Sequence, residues 1–232
     1  GAIALAGGLW LLAALIFSTL AEDKGATDGG KSAFHDAIAN FTFLKTDKQL
    51  RLFIVVRALL TATALAPPFI VAAAGQSDGS VLNTLGFFVL ASATASLVSG
   101  LIWGRLSDRS SRKVLIATGV IAGFILAGTS LILAFDLTDL PFLLPLCLFV
   151  LMLAYQGVRL GRSTHLVDMA TANTRAAYTA LSNTIIGLVL IAGSGFGLVA
   201  HFFGPITALS LMAIMSAAAA ALALRLDEVQ AP

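Results

Sequence analysis

Hydrophobic positions in this chain neither alternate nor gather into narrow stripes; they run on without a break. Seven nearly continuous apolar stretches lie near residues 1–21, 52–74, 81–103, 114–135, 140–158, 176–200 and 202–224. Each approaches the roughly 20 residues an α-helix needs to cross hydrocarbon. Backbone polar groups in a bilayer must be satisfied within the element, which favours helices. A membrane barrel would instead show alternating segments of about ten residues. The pattern predicts an all-α integral membrane protein with seven transmembrane helices.

The polar breaks are as informative as the apolar runs. Residues 22–51 form a linker, rich in Gly and Asp as far as Gly30, and Ser32 is a candidate N-cap. Phe34, Ile38, Phe41 and Leu44 then recur at helical spacing, which predicts a short amphipathic helix near 32–44 on the cytoplasmic face. Its simplest role is to tether two helical bundles. The second span carries Pro67-Pro68 in its outer half. Each proline removes a backbone donor and clashes one turn back, so the helix is expected to bend or break there, as a candidate hinge.

Small and hydroxylated residues punctuate the other spans. Gly119 and Gly123 are four apart, as are Gly193 and Gly197, and that spacing lets helix backbones approach closely. Ser216 followed by alanines at 217–221 offers a smooth face for the same purpose. Ser92, Thr94, Ser96 and Ser99 suggest close packing of the third span. Asp139-Leu-Pro141 suits the start of the fifth.

Composition agrees with a membrane setting. The chain is 58% hydrophobic and only 11% charged, against roughly 25% charged in soluble domains. A lone Cys147 inside an apolar run allows no disulfide framework and is expected to be packing. The sequence begins at Gly1 and its first span lacks a basic leader, so a fragment beginning at or inside a helix is expected rather than a signal peptide.

Charge then orients the helices. Lys and Arg in short loops mark the cytoplasmic side. If the first span runs outside to inside, thirteen of the fourteen bases fall in segments 22–51, 104–113, 159–175 and 225–232. The opposite turns, near 75–80, 136–139 and 201, hold Asp78, Asp136, Asp139 and His201 but no base. The remaining base, Arg57, lies six residues past Arg51, about 9 Å along a helix. It can bind an anionic substrate or pair with an acid elsewhere; the favoured expectation is that its side chain reaches back to the headgroups. No span contains an Asp or Glu well inside it, so no intramembrane proton relay is offered.

Gln156, Tyr178 and Asn183 are polar groups near the inner ends of the fifth and sixth spans. They can line the mouth of a cavity or hydrogen-bond between helices. His165 and Asp168 are placed in a cytoplasmic turn, with a metal or catalytic role disfavoured. Gly104 and Gly161 are single turn glycines, not a phosphate-binding loop, and no nucleic-acid partner or cofactor is expected. Nor is an enzyme, since no nucleophile–base pair stands in register.

Four bases and one acid are packed into Gly104-Arg-Leu-Ser-Asp-Arg-Ser-Ser-Arg-Lys113, between two apolar spans. This segment resembles the signature of the major facilitator superfamily of secondary transporters, matching at Gly104, Asp108, Arg109, Arg112 and Lys113. It departs at Ser111, where the family prefers glycine, and a serine would pay more for an unusual backbone angle there. The segment from Gly157 to Arg162 and the one from Arg175 to Asn183 look like the turn into helix eleven of such permeases, though less specifically.

The resemblance implies helix six of a twelve-helix transporter (1–21), its central linker (22–51), and the six-helix C-terminal half-bundle (52–225) with a short cytoplasmic tail (226–232). It further implies alternating access to a central cavity in the cytoplasmic (inner) membrane. The signature would act as a latch, Asp108 facing a helix N-terminus of the missing first half and the bases pairing with acids or lipid phosphates. The expected partners are a small-molecule substrate, a coupling ion (a proton foremost), membrane lipid and that first half. Efflux of an apolar or amphipathic compound is expected over uptake of a strongly charged one. The competing class is a non-transporting scaffold or assembly factor that keeps the fold.

Overall fold

A computed structural model describes residues 2–19, 41–74, 81–138, 140 and 142–230. Among these residues every regular element is helical. The chain divides into two units, 1–39 and 40–232. In the first, α1 (Ala2–Ser18) is apolar throughout and 17 residues long, or about 25 Å.

The second unit begins with a short α2 (Thr42–Thr46), followed by one span in three pieces: α3 (Lys48–Leu59), α4 (Ala62–Leu65) and α5 (Pro67–Ala74). Then come α6 (Val81–Arg109), α7 (Ser111–Ala134), α8 (Leu143–Met169), α9 (Arg175–Gly193), α10 (Gly195–Phe203) and α11 (Pro205–Ala223). Among the described residues six helical spans are long and apolar enough to cross a membrane: α3 to α5 taken together, α6, α7, α8, α9 with α10, and α11. Leu97 (80% exposed), Leu101 (76%) and Phe124 (77%) point away from the protein. Such side chains belong in hydrocarbon, and the chain is a multi-pass membrane protein.

Helix α7 is the centre of the bundle, packed on one side by α11 and on the other by α8, with α6 beyond α8. The α7–α11 crossing is close because Gly119 and Gly123 face Ser216, Ala217 and Ala220. A Cβ added at 119 would stand 3.0 Å from both the Ser216 carbonyl and the Ala220 Cβ. The other small-residue pair is split. Gly193 packs on Leu65, whereas nothing among the described residues comes within 4 Å of a Cβ at Gly197. The helix has broken between them at Ser194, flanked by glycines, whose hydroxyl bonds the Ile191 carbonyl at 2.6 Å.

Nor do the hydroxyls of α6 serve close packing throughout. Thr94 is exposed and satisfies itself on the Leu90 carbonyl; Ser96, also exposed, donates to the Ser92 carbonyl and accepts from Gln156 on α8.

The proline pair acts as expected in part. Pro67 begins α5 after a bend at Ala66, but the span also breaks one turn earlier, at Leu60–Thr61. Two buried threonines account for it. Thr61 Oγ1 donates to the Ala58 carbonyl at 2.6 Å and Thr63 Oγ1 to the Leu60 carbonyl at 2.8 Å. Hydroxyls bonding back along a helix bend it, and the prolines below supply no N–H to restore the ladder. The break coincides with the division of the core into two clusters, one including Phe53, Leu60 and Leu115, the other Ala62, Ile70 and Leu126.

Other boundaries move. Helix α8 continues to Met169, so His165 and Asp168 lie in a helix and not in a turn. His165 is buried, stacked on Phe53 at 5.3 Å, with Nδ1 3.0 Å from the Ser111 hydroxyl; it is a packing residue. His201 lies in the last turn of α10, and the chain turns instead at Gly204, where φ is +85° and Pro205 then opens α11. Cys147 is buried in α8. Of the expected amphipathic helix at 32–44, residues 32–40 lie outside the described residues; Phe41 and Leu44 lie at and within α2. Asp139 and Pro141 also lie outside them, and α8 starts at Leu143.

Candidate functional site

The start of α3, the junction of α6 with α7, the end of α8, the start of α9 and the tail after α11 meet at one end of the bundle. Side-chain bonds tie them together: Ser107 to Thr164 at 3.1 Å, Ser111 to His165, Tyr178 to Asp47 at 2.7 Å, and Gln49 to the Asp227 amide at 3.3 Å. The bases of the described loops cluster at this end.

The signature segment is not a ten-residue turn. Helix α6 runs through Arg109 and α7 begins at Ser111, leaving Ser110 alone between them. Ser110 is extended (φ −166°), and its hydroxyl accepts from the Lys113 amide at 3.1 Å as an N-cap. Ser111 is the first helical residue and fully buried. It needs no left-handed backbone, since Asp136 is the only non-glycine with positive φ among the described residues. A serine there therefore carries no conformational penalty, contrary to the expectation.

The tail closes over this junction. Gln230 donates to the Ser107 carbonyl at 2.7 Å and accepts from the Ser111 amide at 2.5 Å, while Glu228 accepts from the Ser110 hydroxyl at 2.6 Å. Arg112 donates to the Leu224 carbonyl at 2.9 Å, beyond the last turn of α11. Asp108, Arg109 and Lys113 are exposed, and Gly104 is half-buried with open space where a side chain would be. Among the described residues the Asp108 carboxylate has no hydrogen-bond partner.

Next to that end, α3, α6, α8 and α9 line an open cavity of about 560 Å³. Arg57 enters it from α3, but its guanidinium does not reach toward the headgroups. It is only 9% exposed, and it turns sideways to donate to Ser182 Oγ at 2.6 Å and Asn183 Oδ1 at 2.8 Å on α9. This corrects the favoured expectation for Arg57. Nine residues of helix separate Arg57 from Lys48 at the start of α3, and the buried Ser182 hydroxyl and the Asn183 amide on α9 lie nearer.

Helix α8 contributes Gln156, Arg159, Arg162 and Ser163. Gln156 donates to Ser96 on α6 at 2.9 Å and accepts from Arg159 at 3.2 Å, so it both joins two helices and orients a base. From α6 come Ser99 and Trp103, the indole N–H donating to the Leu153 carbonyl at 2.8 Å. Thr179 and Asn183 complete the wall from α9. Among the described residues three arginines line this space, and no lining residue is acidic.

No family model matches the chain, and no curated protein or solved structure matches it either.

Among the sequence-selected polar residues, Arg57, Gln156 and Asn183 come together at the cavity. Tyr178 does not line it. Its phenol bonds Asp47, the N-cap of α3, and its ring meets Phe43 edge-on at 5.3 Å. Pro67 and Pro68 are likewise not among the lining residues. Sequence reasoning missed Trp103, Arg159 and Arg162 as lining groups. The signal available was the spacing Gln156, Arg159, Ser163, Leu166, which repeats every three to four residues and defines one helix face.

Trp103 sits where it does because Gly157 faces it. A Cβ at 157 would come within 2.7 Å of the indole ring and 2.5 Å of Thr118 Cγ2. Gly157→Ala is therefore expected to displace the indole and cost about 1–3 kcal/mol, as overpacking does. A lowered unfolding midpoint together with a shifted emission maximum of Trp103 would register it; an unchanged spectrum and midpoint would contradict the packing described.

Proposed function

We propose that this chain is the second half of a secondary active transporter of the major facilitator kind, moving a small solute across the cytoplasmic membrane by alternating access. The observation that carries this is the cavity. Four spans turn polar or charged side chains toward one shared space of about 560 Å³, within the 300–1,000 Å³ usual for small-molecule sites. Polar groups inside spanning helices are costly and mark solute paths.

The signature residues support the same proposal. Asp108, at the end of α6 and exposed, stands ready to face the positive N-terminus of a helix from the first half. The junction behind it is held by the tail and by the Ser110 cap, so α6 and α7 would move together when the halves rock. Rocking of one rigid bundle against another around a fixed site is how such halves alternate access. The basic end of the bundle faces the cytoplasm in this scheme, and the coupling ion, a proton by expectation, takes its carboxylate from the first half. Export of an amphipathic solute remains the preferred direction and class, since Trp103, Leu160 and Leu166 add apolar walls to the polar ones.

The test is transport by the complete gene product in liposomes under an imposed proton gradient. Saturable, gradient-dependent movement of labelled amphipathic compounds is expected, and Asp108→Asn should slow turnover while leaving solute binding intact. If folded protein moves no solute under any gradient, the transport assignment fails and the scaffold class takes its place.

A further inference from the structure

We propose that the cavity between α3, α6, α8 and α9 is an anion site, and that the solute it takes is a small organic anion bearing a carboxylate or phosphate beside an apolar part. This rests on the assignment of the cavity as a solute site and names the class of solute.

Three observations carry it. First, Arg57 is nine-tenths buried and its two hydrogen-bond partners, Ser182 and Asn183, are neutral. A buried charge is normally compensated by an opposite one, and none lines this space among the described residues. Second, its Nε–H is buried without a hydrogen-bond partner among the described residues. A guanidinium has five N–H groups, and two here are engaged, so the side chain keeps donors in the fork arrangement that matches a carboxylate or phosphate.

Third, Arg159 and Arg162 line the same cavity, one oriented by Gln156. Like charges set together in a low-dielectric cleft raise a positive potential that concentrates anions. Trp103 and two leucines provide a surface for an aromatic or aliphatic body. Repulsion among three arginines disfavours the empty site, and an anion relieves it.

The experiment measures unfolding midpoints of the complete gene product in phosphatidylcholine nanodiscs at low chloride. It is titrated with acetate, benzoate, 1-naphthoate, phenyl phosphate and inorganic phosphate, and with the neutral amide or alcohol of each organic probe. At least one anion should raise the midpoint while its neutral analogue does not, since ligand binding to the folded state stabilises it. Added salt should weaken the effect by screening. Arg57→Met should weaken binding by about ten- to a hundredfold, the range for a hydrogen bond to a charged group. The exposed Arg159→Gln, which is expected to fold normally, should weaken it by a smaller factor.

If neither an anion nor its neutral analogue shifts the midpoint, or if both shift it equally, the proposal is overturned. A midpoint that rises only in phosphatidylglycerol nanodiscs, dependent on Arg57, would assign the site to a lipid headgroup and overturn the solute assignment. Anion binding without transport would leave this proposal standing and remove the transporter; transport confined to neutral or cationic solutes would do the reverse.

Discussion

Gly119→Leu is expected to leave no folded protein after purification, while Gly128→Ala in the same helix leaves the unfolding midpoint unchanged or higher. The two glycines differ only in what surrounds them. At 119 a Cβ meets the Ser216 carbonyl at 3.0 Å and the Ala220 amide nitrogen at 3.1 Å, both backbone atoms that cannot swing aside. Alanine alone would cost about 1–3 kcal/mol by overpacking. Leucine adds three further carbons, and relief then requires α7 and α11 to separate along the most extensive packing in the bundle. That loss competes with a net stability of about 5–15 kcal/mol. Nothing among the described residues lies within 4 Å of a Cβ at 128, so alanine there gains helix propensity of up to about 1 kcal/mol. Thermal unfolding and size-exclusion profiles in detergent would compare them. A Gly119→Leu variant that elutes and melts like the parent would show that the crossing is looser than described.

Asp47→Ala is expected to cost about 2–4 kcal/mol, the second largest effect. One oxygen of Asp47 accepts from the Gln49 and Leu50 amides as the N-cap of α3, and the other accepts from Tyr178 on α9 at 2.7 Å. Losing an N-cap costs about 0.5–2 kcal/mol. Stranding a buried phenol adds about 1–3 kcal/mol, since Tyr178 is only 8% exposed. Asp47→Asn keeps a capping oxygen and offers an amide to the phenol oxygen, so it should lose less than half as much. Tyr178→Phe should cost least, because the freed carboxylate oxygen can be hydrated. Equal losses for alanine and asparagine would mean that the carboxylate, and not the cap geometry, holds α3 to α9.

The same contacts bear on the transport proposed above. Asp47, Tyr178 and Arg57 all join α3 to α9, two of the four helices around the cavity. Below them the α3–α5 span is interrupted at Leu60–Thr61 and at Ala66. The inner piece is thus pinned to α9 by polar bonds, whereas α4 meets it through Leu65 on Gly193. A helix broken beside a cavity can change shape without unpacking the bundle, and such breaks are tolerated where protein surrounds them.

Much of this protein is legible in its residue order, and the reason is the bilayer. Hydrocarbon demands about 20 apolar residues and an internally bonded backbone, so length and hydropathy alone locate the helices. The six spans of the second unit fall close to where the apolar runs lie. Their ends shift where polar residues continue a helix beyond its apolar part, as α8 does through Arg159, Arg162 and His165. The spacing of Gly119 and Gly123 and the alanines near Ser216 foretold a close crossing because only small side chains permit one. The pair at Gly193 and Gly197 misled, since Ser194 breaks the helix between them.

Residue order on its own determined the all-helical membrane class, the approximate position of the six apolar spans of the second unit, the concentration of bases in alternate loops, and the compact charged junction at 104–113. Only the tertiary structure decided which polar side chains meet. Helices that are apolar all round carry almost no periodic signal for their rotation. Nothing in the order of residues therefore says that Arg57 turns to Ser182 and Asn183, that Tyr178 leaves the cavity for Asp47, or that Arg159 and Arg162 join Trp103 across from it. Those meetings depend on crossing angles and on glycines such as Gly157 that admit a neighbour, and side-chain direction is settled only when the helices are packed.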